Sequence, residues 1–592
     1  LAGSHVVAQF LAWKTSRACS DAAGLCDRPL MRMRLVFLAF LATVLLAHPV
    51  AGLIQNGLDP AYWPTGVTRP GVWFETLFSR HMGDALAVPY LMLIGRAPEF
   101  ANDGWSPGPL LAVAPLLILF GAELLRRAKP EQKRDTSDLF GSARFANEAE
   151  RGWLRDGLEL GRDPETGHPV RIAVQGTLVT IAPPRKGKTS GLLIPNLAFP
   201  EPQGWGGPAV VLDPKGEVYR SVAARRRALG RRVVCLDPMK LAGGTDRWNP
   251  LQGRDPDDVL YLQSTALALL PEATGDGEAS AYFRNRAVDL ITGAFLVTLR
   301  RPEVCSVTEV QDLLSDEGRF RGLLQQYVTH WPEPAAYAAL EILEADPKTK
   351  DPIKSTALQA FQWLADRRLR DLVGASTFQL AELSSGTVDL FVAVPTEYKA
   401  VLAPFLRWLL SDLFASVRRS RPTERLMIFV DEAAVLGRFD ALLTAAGELP
   451  GYGASLWTMW QDRAQLVGLY GEAGADVLLN TAEVVTIFDV PAVDPDEAER
   501  WSRAIGDYTA FVETQTAPTG DAKGSPSTTR ASQGARLMTK EALIAMPGDE
   551  LLVFPNSGGH ARHPLRLKKT VAHTDPRFRR LITSVAPVGR AR

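Results

Sequence analysis

Gly187, Lys188 and Thr189 stand in the run Ala182-Pro183-Pro184-Arg185-Lys186-Gly187-Lys188-Thr189-Ser190. These residue types suit phosphate chemistry. Backbone N–H groups gathered at a helix N-terminus cradle the anion, a lysine meets the β- and γ-phosphates, and a hydroxyl reaches Mg2+. The β-type run Thr177–Ile181 precedes the loop and an apolar helical stretch follows it, which is the context the mechanism requires. The full pattern GxxxxGK[ST] is broken at one place, where Ala182 replaces the first glycine. Gly-Lys-Thr by itself would be explained by an exposed helix start, so the flanking elements carry the assignment. The candidate nucleotide contacts are Pro184, Arg185, Lys186, Gly187, Lys188, Thr189 and Ser190, with ATP and Mg2+ as the expected ligands.

A second chemical signal closes the run Leu426–Val430, an apolar strand that ends in Asp431 and Glu432. This fits a Walker B site, in which Asp431 holds Mg2+ and Glu432 orients or deprotonates the attacking water. Strand-end acids also meet solvent or cap helices; the loop at Lys188 favours the catalytic reading, because nucleotide sites gather at strand C-termini. Gln461 ends another apolar strand, Ser455–Trp460, where an amide can contact the γ-phosphate or the water, or simply satisfy backbone groups. The expected catalytic set is Glu432, Lys188 and Gln461, with Thr189 and Asp431 as metal ligands. Asp213-Pro214-Lys215-Gly216-Glu217 has the preferences of a type I turn, which leaves Lys215 and Glu217 without a role.

These residues need a scaffold of buried strands. From about Leu139, short β-branched runs alternate with helical stretches, as in a parallel sheet covered by helices. The expected strands are Thr177–Ile181, Ala209–Leu212, Arg232–Leu236, Val388–Val394, Leu426–Val430, Ser455–Trp460, Val484–Val490 and Glu550–Phe554, several apolar throughout. Between Trp248 and about Leu383 strand signals vanish and helical spacing takes over. The pattern predicts an α/β domain (139–251 and 385–575) interrupted by an all-α insertion (252–384), with a basic tail at 576–592. Residues 517–536, rich in Gly, Ser and Pro, read as a mobile exposed loop.

The 592 residues exceed one hydrophobic core, and 46% apolar with 22% charged residues exclude wholesale disorder. The 66 basic and 66 acidic side chains cancel, so any nucleic-acid contact must come from a local patch. The four cysteines show no metal-ligand spacing, and Cys235 reads as a small core residue. Two apolar runs, about 35–54 and 105–125, are each long enough to cross a bilayer as helices. Arg32 and Arg34 precede the first; Arg126, Arg127 and Lys129 follow the second. The positive-inside rule therefore places both outer flanks, and the C-terminal bulk, in the cytoplasm, making 31–135 a membrane anchor with a periplasmic loop. A cleaved signal peptide ending near Ala47 or Ala51 is the competing reading of the first run. Residues 1–30 resemble neither a membrane segment nor a domain, and Met31 is the expected natural start.

Taken together, the motifs resemble the coupling proteins of type IV secretion systems, the TraG/TraD-type conjugal transfer ATPases. The match comprises the loop through Thr189, Leu193–Leu197, Val211–Tyr219, Trp248–Leu251, Phe429–Ala433 with Leu436 and Gly437, Gly451–Gly453, and Gln461 with Gln465, Leu466, Tyr470 and Gly471. It covers about residues 139–570. The resemblance implies a hexameric bacterial inner-membrane ATPase with a RecA-like P-loop domain and an inserted all-α domain that helps select cargo. It further implies partners: a relaxase joined to single-stranded DNA, and the secretion channel components. Two departures stand out. Pro450 precedes Gly-Tyr-Gly where the family often has Arg, and Phe283 stands where a Trp is frequent. Export of protein effectors only, a double-stranded DNA pump and a non-hydrolysing scaffold are the alternatives; intact Lys188, Thr189, Asp431 and Glu432 argue against the last.

Overall fold

The computed structural model describes residues 138–199, 201–270, 278–516, 527–556 and 562–583, all within one compact unit, Arg134–Arg592. The two expected membrane spans, the extension 1–30 and the Met31 start lie outside the described residues.

An eleven-stranded sheet organises the unit, in the order β2-β1-β13-β12-β9-β3-β8-β7-β4-β6-β5. Its parallel part consists of β3 (Thr177–Ile181), β4 (Ala209–Leu212), β5 (Arg232–Leu236), β6 (Val388–Val392), β7 (Leu426–Val430), β8 (Ala454–Trp460) and β9 (Ala482–Ile487). Both faces of β3, β4, β6, β7 and β8 are buried, which is why these runs are almost free of charge. Charges enter at their C-terminal ends, where the strands leave the core.

At one margin the sheet turns antiparallel. β12 (Glu550–Pro555) pairs with β9, then β13 (Leu565–Lys568), β1 (Leu158–Arg162) and β2 (Pro169–Ile172) follow. The sequence pattern anticipated β12 but not β1, β2 or β13, which are short and carry Glu159, Arg171, Arg566 and Lys568. Arg577, within the stretch expected as a basic tail, folds back onto this margin and donates to Glu159 at 2.6 Å and Asp575 at 2.8 Å.

The expected loop over 517–536 needs correction. Ser527–Arg536 is a strand, β11, paired antiparallel with β10 (Asp507–Thr516) in register from Asp507↔Arg536 to Thr516↔Ser527. A two-stranded ribbon outside the main sheet can carry polar side chains on its open faces, so its composition mimics a loop. Residues 517–526 lie outside the described set. The ribbon's base also holds the start of the unit: Ala143 N donates to Asp507 O at 2.9 Å, and Thr509 N donates to Gly141 O at 3.0 Å.

Between β5 and β6 every described regular element is helical. Val259–Leu269, Glu278–Leu299, Val307–Ser315, Glu317–His330, Pro334–Glu344, Pro347–Gln359 and Arg367–Val373 form a layer around Phe295, Phe320, Phe361 and Trp363. Phe283, in the second of these helices, packs partly buried against that core. Trp248–Leu251 ties the layer to the sheet. Asn249 N donates to Ser376 Oγ at 2.9 Å, its side-chain amide donates to Cys305 O at 3.0 Å, and Trp248 meets Phe405 edge-on at 6.1 Å. Lys399–Arg419, which with the preceding turn is long and apolar enough to cross a membrane, is here mostly buried, with Phe405, Trp408, Leu409 and Phe414 in the core.

One fully buried charged pair joins β6, next to the β5 edge of the sheet, to the helix that packs on it. Asp389 in β6 accepts from Arg226 Nε at 2.6 Å and Nη2 at 2.8 Å, and from Ala209 N at 2.9 Å, both side chains being fully buried. It fixes the helix Glu217–Ala228 against β4 and β6. That helix begins where the loop after β4 ends, so the pair also anchors one wall of the site described next.

Candidate functional site

β3, β8, β7 and β4 are neighbours in the sheet and parallel, so the segments that leave their C-terminal ends converge. They enclose a cavity of about 640 Å3, within the range of small-molecule sites. The loop after β3 supplies Pro184, Arg185, Gly187, Lys188, Thr189 and Ser190; Asp431 and Glu432 follow β7 directly, and Gln461 follows β8. Lys186 is the one expected contact whose side chain does not line it. Its ammonium turns outward to Asp489 at 3.3 Å, which also accepts from Lys569 at 2.8 Å.

The loop departs from the glycine pattern without losing its turn. Ala182 is fully buried and continues the β3–β8 pairing through a hydrogen bond from its N–H to Trp460 O at 2.9 Å. It is not among the residues with positive φ, so this position does not need glycine. The left-handed conformations fall on Arg185 (φ 63°) and Gly187 (φ 89°). At Gly187 the lack of a Cβ makes that conformation free of strain; at Arg185 it costs on the order of 1 kcal/mol. The chain then enters a π-helical turn, Thr189–Leu193, followed by the helix Ile194–Ala198. Asn196 in that helix is buried and locked to β1: it accepts from Glu159 N at 2.7 Å and donates to Glu159 O at 2.9 Å. Its place in the motif is explained by this clamp.

Across the cavity the functional groups already touch. Thr189 Oγ1 lies 3.1 Å from both carboxylate oxygens of Asp431. Lys188 Nζ donates to Glu432 Oε2 at 3.2 Å and stands 4.0 Å from Asp431 Oδ1. Gln461 Nε2 donates to the other Glu432 oxygen at 2.7 Å, and its backbone N–H donates to Gln465 Oε1 at 3.0 Å. Glu432 is thus held from two sides, by an ammonium and by an amide.

Burial pushes the Asp431 carboxyl above its usual range, opposed by the Lys188 charge, the Thr189 hydroxyl and the Lys215 charge. Asp213, at the end of the adjacent β4, is pushed up to about 7, mainly by burial; backbone donors oppose the shift and the Asp431 charge adds to it. Two buried acids side by side favour a cation between or beside them. A hydroxyl with a carboxylate is a hard oxygen donor set, which fits Mg2+ rather than a softer metal.

The site also includes groups that the sequence left without a role. Pro214, Lys215 and Glu217, from the loop after β4, and Thr396, Glu397 and Lys399, from the segment after β6, form the wall facing the phosphate loop. Only the strand order reveals this, since nothing local in the sequence states that β4 lies beside β7. Pro450 falls elsewhere, near the N-terminal ends of the strands, where its carbonyl lies 3.5 Å from Arg425 Nη1.

A parallel sheet with a phosphate loop after one strand and an Asp-Glu pair after another, two places away, defines a P-loop domain of the RecA-like α/β type. Solved structures agree on the fold. The bacterial conjugative coupling protein TrwB lacking its N-terminal segment matches with a TM-score of 0.55 at 18% identity, over 74% of this chain and 95% of that one. TrwB in complex with ADP and Mg2+ matches at 0.54 and 17%, over 74% and 96%.

Residues 154–588 match the family model for type IV secretory system conjugative DNA transfer, and the chain belongs to that family. Among its relatives, the conjugal transfer protein TraG of Agrobacterium fabrum is 27% identical over 411 residues, covering 65% of this chain and 59% of the relative. VirD4 of Rhizobium radiobacter is 25% identical over 413 residues, covering 68% and 58%. The match thus spans about three fifths of the length of these curated relatives.

Proposed function

We propose that the protein is a membrane-anchored ATPase coupling protein that recruits a relaxase–DNA substrate and drives it into a type IV secretion channel. The observation that carries the catalytic part is the contact set Thr189–Asp431 and Lys188–Glu432–Gln461 at one strand-end cavity, in a chain of the conjugative DNA transfer family. ATP is the substrate, and TrwB in complex with ADP and Mg2+ supports the choice of ligands.

In this reading Pro184, Arg185, Lys186 and Gly187 present backbone groups to the phosphates, Lys188 neutralises them, and Ser190 completes the helix start. Thr189 and Asp431 would hold Mg2+, which when bound draws charge from the β- and γ-phosphate oxygens. Glu432, once Lys188 turns to the phosphates, is free to accept a proton from water. Gln461 keeps its carboxylate aimed, and so reports the state of the phosphate to the helix that follows β8. The helical layer 252–384 is the region for cargo selection, and runs 35–54 and 105–125 anchor the chain in the inner membrane. A homo-hexamer is the expected assembly.

Purified full-length protein should hydrolyse ATP in a Mg2+-dependent manner, and Lys188→Ala should abolish this while leaving the protein folded. Activity that survives Lys188→Ala would sink the catalytic assignment. Export of protein effectors alone remains the second reading; it shares the motor, and a relaxase-binding assay separates the two.

A further inference from the structure

The wall facing the phosphate loop carries a cation that the mechanism above does not use. Lys215 lies in the loop after β4, across Asp431 and Glu432 from Lys188 in the strand order β3-β8-β7-β4, and it is one of the residues that line the same cavity. Its backbone carbonyl accepts from Arg220 Nη2 at 3.2 Å, yet its ammonium has no hydrogen-bond or ion-pair partner among the described residues. Its charge is felt by Asp431, whose burial it helps to offset.

The loop beneath Lys215 is stiff. Asp213 accepts from Glu217 N at 3.2 Å and Tyr219 N at 2.9 Å, and its carbonyl accepts from Gly216 N at 3.1 Å. Arg220 Nε donates to Gly216 O at 3.0 Å. Gly216 itself holds φ 64°, and a Cβ there would come within 2.9 Å of Ala242 Cβ, so the turn is packed as well as bonded. Pro214 fixes its own φ in the turn. An exposed lysine usually has a mobile base; the side chain of Lys215, itself exposed, starts from a bonded and packed turn at the wall of the cavity.

We propose that Lys215 is a catalytic residue of this site, its ammonium contacting the γ-phosphate from the side facing away from the phosphate loop and stabilising the charge on the transferring phosphoryl group. The proposal rests on the reading that the site hydrolyses ATP. In that step a water oxygen forms the bond to Pγ, and the bond from Pγ to the β,γ-bridging oxygen breaks with its electron pair leaving on ADP. The water's proton passes to Glu432 and then to solvent. Lys215 keeps its protons throughout and acts as a fixed positive charge supplied by the same subunit, where preorganised charge is worth most.

The test compares wild type, Lys215→Met, which keeps the aliphatic stem, and Lys215→Arg, which keeps the charge. All are the full chain in detergent, assayed for ATP turnover, ATP affinity, affinity for ADP with aluminium fluoride, and melting temperature. Lys215→Met is expected to lose about 10²-fold in kcat, the effect of removing one donor to a developing anion. Its affinity for ADP–aluminium fluoride should fall by a similar factor while ATP affinity changes less than about threefold and melting is unchanged; Lys215→Arg should recover part of the loss. A kcat for Lys215→Met within about threefold of wild type would overturn the proposal, as would equal losses for ATP and the aluminium fluoride complex. Wild-type protein without ATPase activity would instead overturn the reading beneath it.

Discussion

Replacing Glu432 with Gln removes a charge and leaves the shape. In the structure Glu432 Oε2 accepts from Lys188 at 3.2 Å and Oε1 accepts from Gln461 at 2.7 Å, with Lys188 and Glu432 both largely buried. At that separation the Lys188–Glu432 attraction is about 5 kcal/mol with an effective dielectric near 20. Most of this is offset by the hydration both ions give up, leaving about 1–2 kcal/mol net for a charge-assisted hydrogen bond. A triphosphate must draw Lys188 away from Glu432 and accept a nearby negative charge. Glu432→Gln removes both costs, so ATP should bind about 5- to 30-fold tighter. The same change deletes the proton acceptor, so kcat should fall about 10²- to 10⁴-fold. Titration of a fluorescent ATP analogue and steady-state turnover on the same preparation read both numbers. Weaker binding, or a kcat within about threefold of wild type, would refute the claim that Glu432 competes for Lys188 and serves as the base.

Gln461→Ala leaves Glu432 tethered only by Lys188 and should lower kcat about tenfold with little change in ATP affinity; a change confined to affinity would count against a positioning role. Asp389→Ala strands the Arg226 guanidinium between its helix and the sheet and should cost about 3–5 kcal/mol in chemical unfolding, whereas Arg226→Met combined with Asp389→Leu should cost much less. A loss below about 1 kcal/mol for Asp389→Ala would show that the buried pair does not hold the sheet to its helix. Asp412, fully buried beside Arg254 and Tyr261, has its carboxyl pushed up to about 6, chiefly by burial. A raised folded-state pKa contributes stability at low pH that is lost as pH rises from about 4 through about 6, an effect of at most about 3 kcal/mol. Wild-type melting should therefore decline across that window relative to Asp412→Asn; parallel curves would contradict the assignment.

The parallel core was legible because strands covered on both faces must be apolar. Leu426–Val430 and Thr177–Ile181 announce themselves, and so do the charges waiting at their ends. Asp431, Glu432 and Gln461 stood out for the same reason, as the polar break after a buried run, and Lys188 and Thr189 stood out through the Gly-Lys-Thr pattern between a strand and an apolar helical stretch. β1, β2 and β13 escaped notice because a margin strand four or five residues long, with charges such as Glu159 and Lys568, has no uniform pattern. Ser527–Arg536 escaped because a ribbon with open faces can be built from Ser, Thr and Gly. Lys215 was visible as a residue and not as a site component, since its meaning depends on β4 lying beside β7, a pairing across more than two hundred residues of chain.

The most direct test of the central claim is the mating-out frequency from hosts carrying wild-type protein, Lys188→Ala or Glu432→Gln, with membrane levels of each protein matched. Transfer that collapses in both variants, while the proteins reach the membrane normally, is the result expected of a motor that couples ATP hydrolysis to DNA transfer. Transfer at the wild-type frequency in either variant would contradict it.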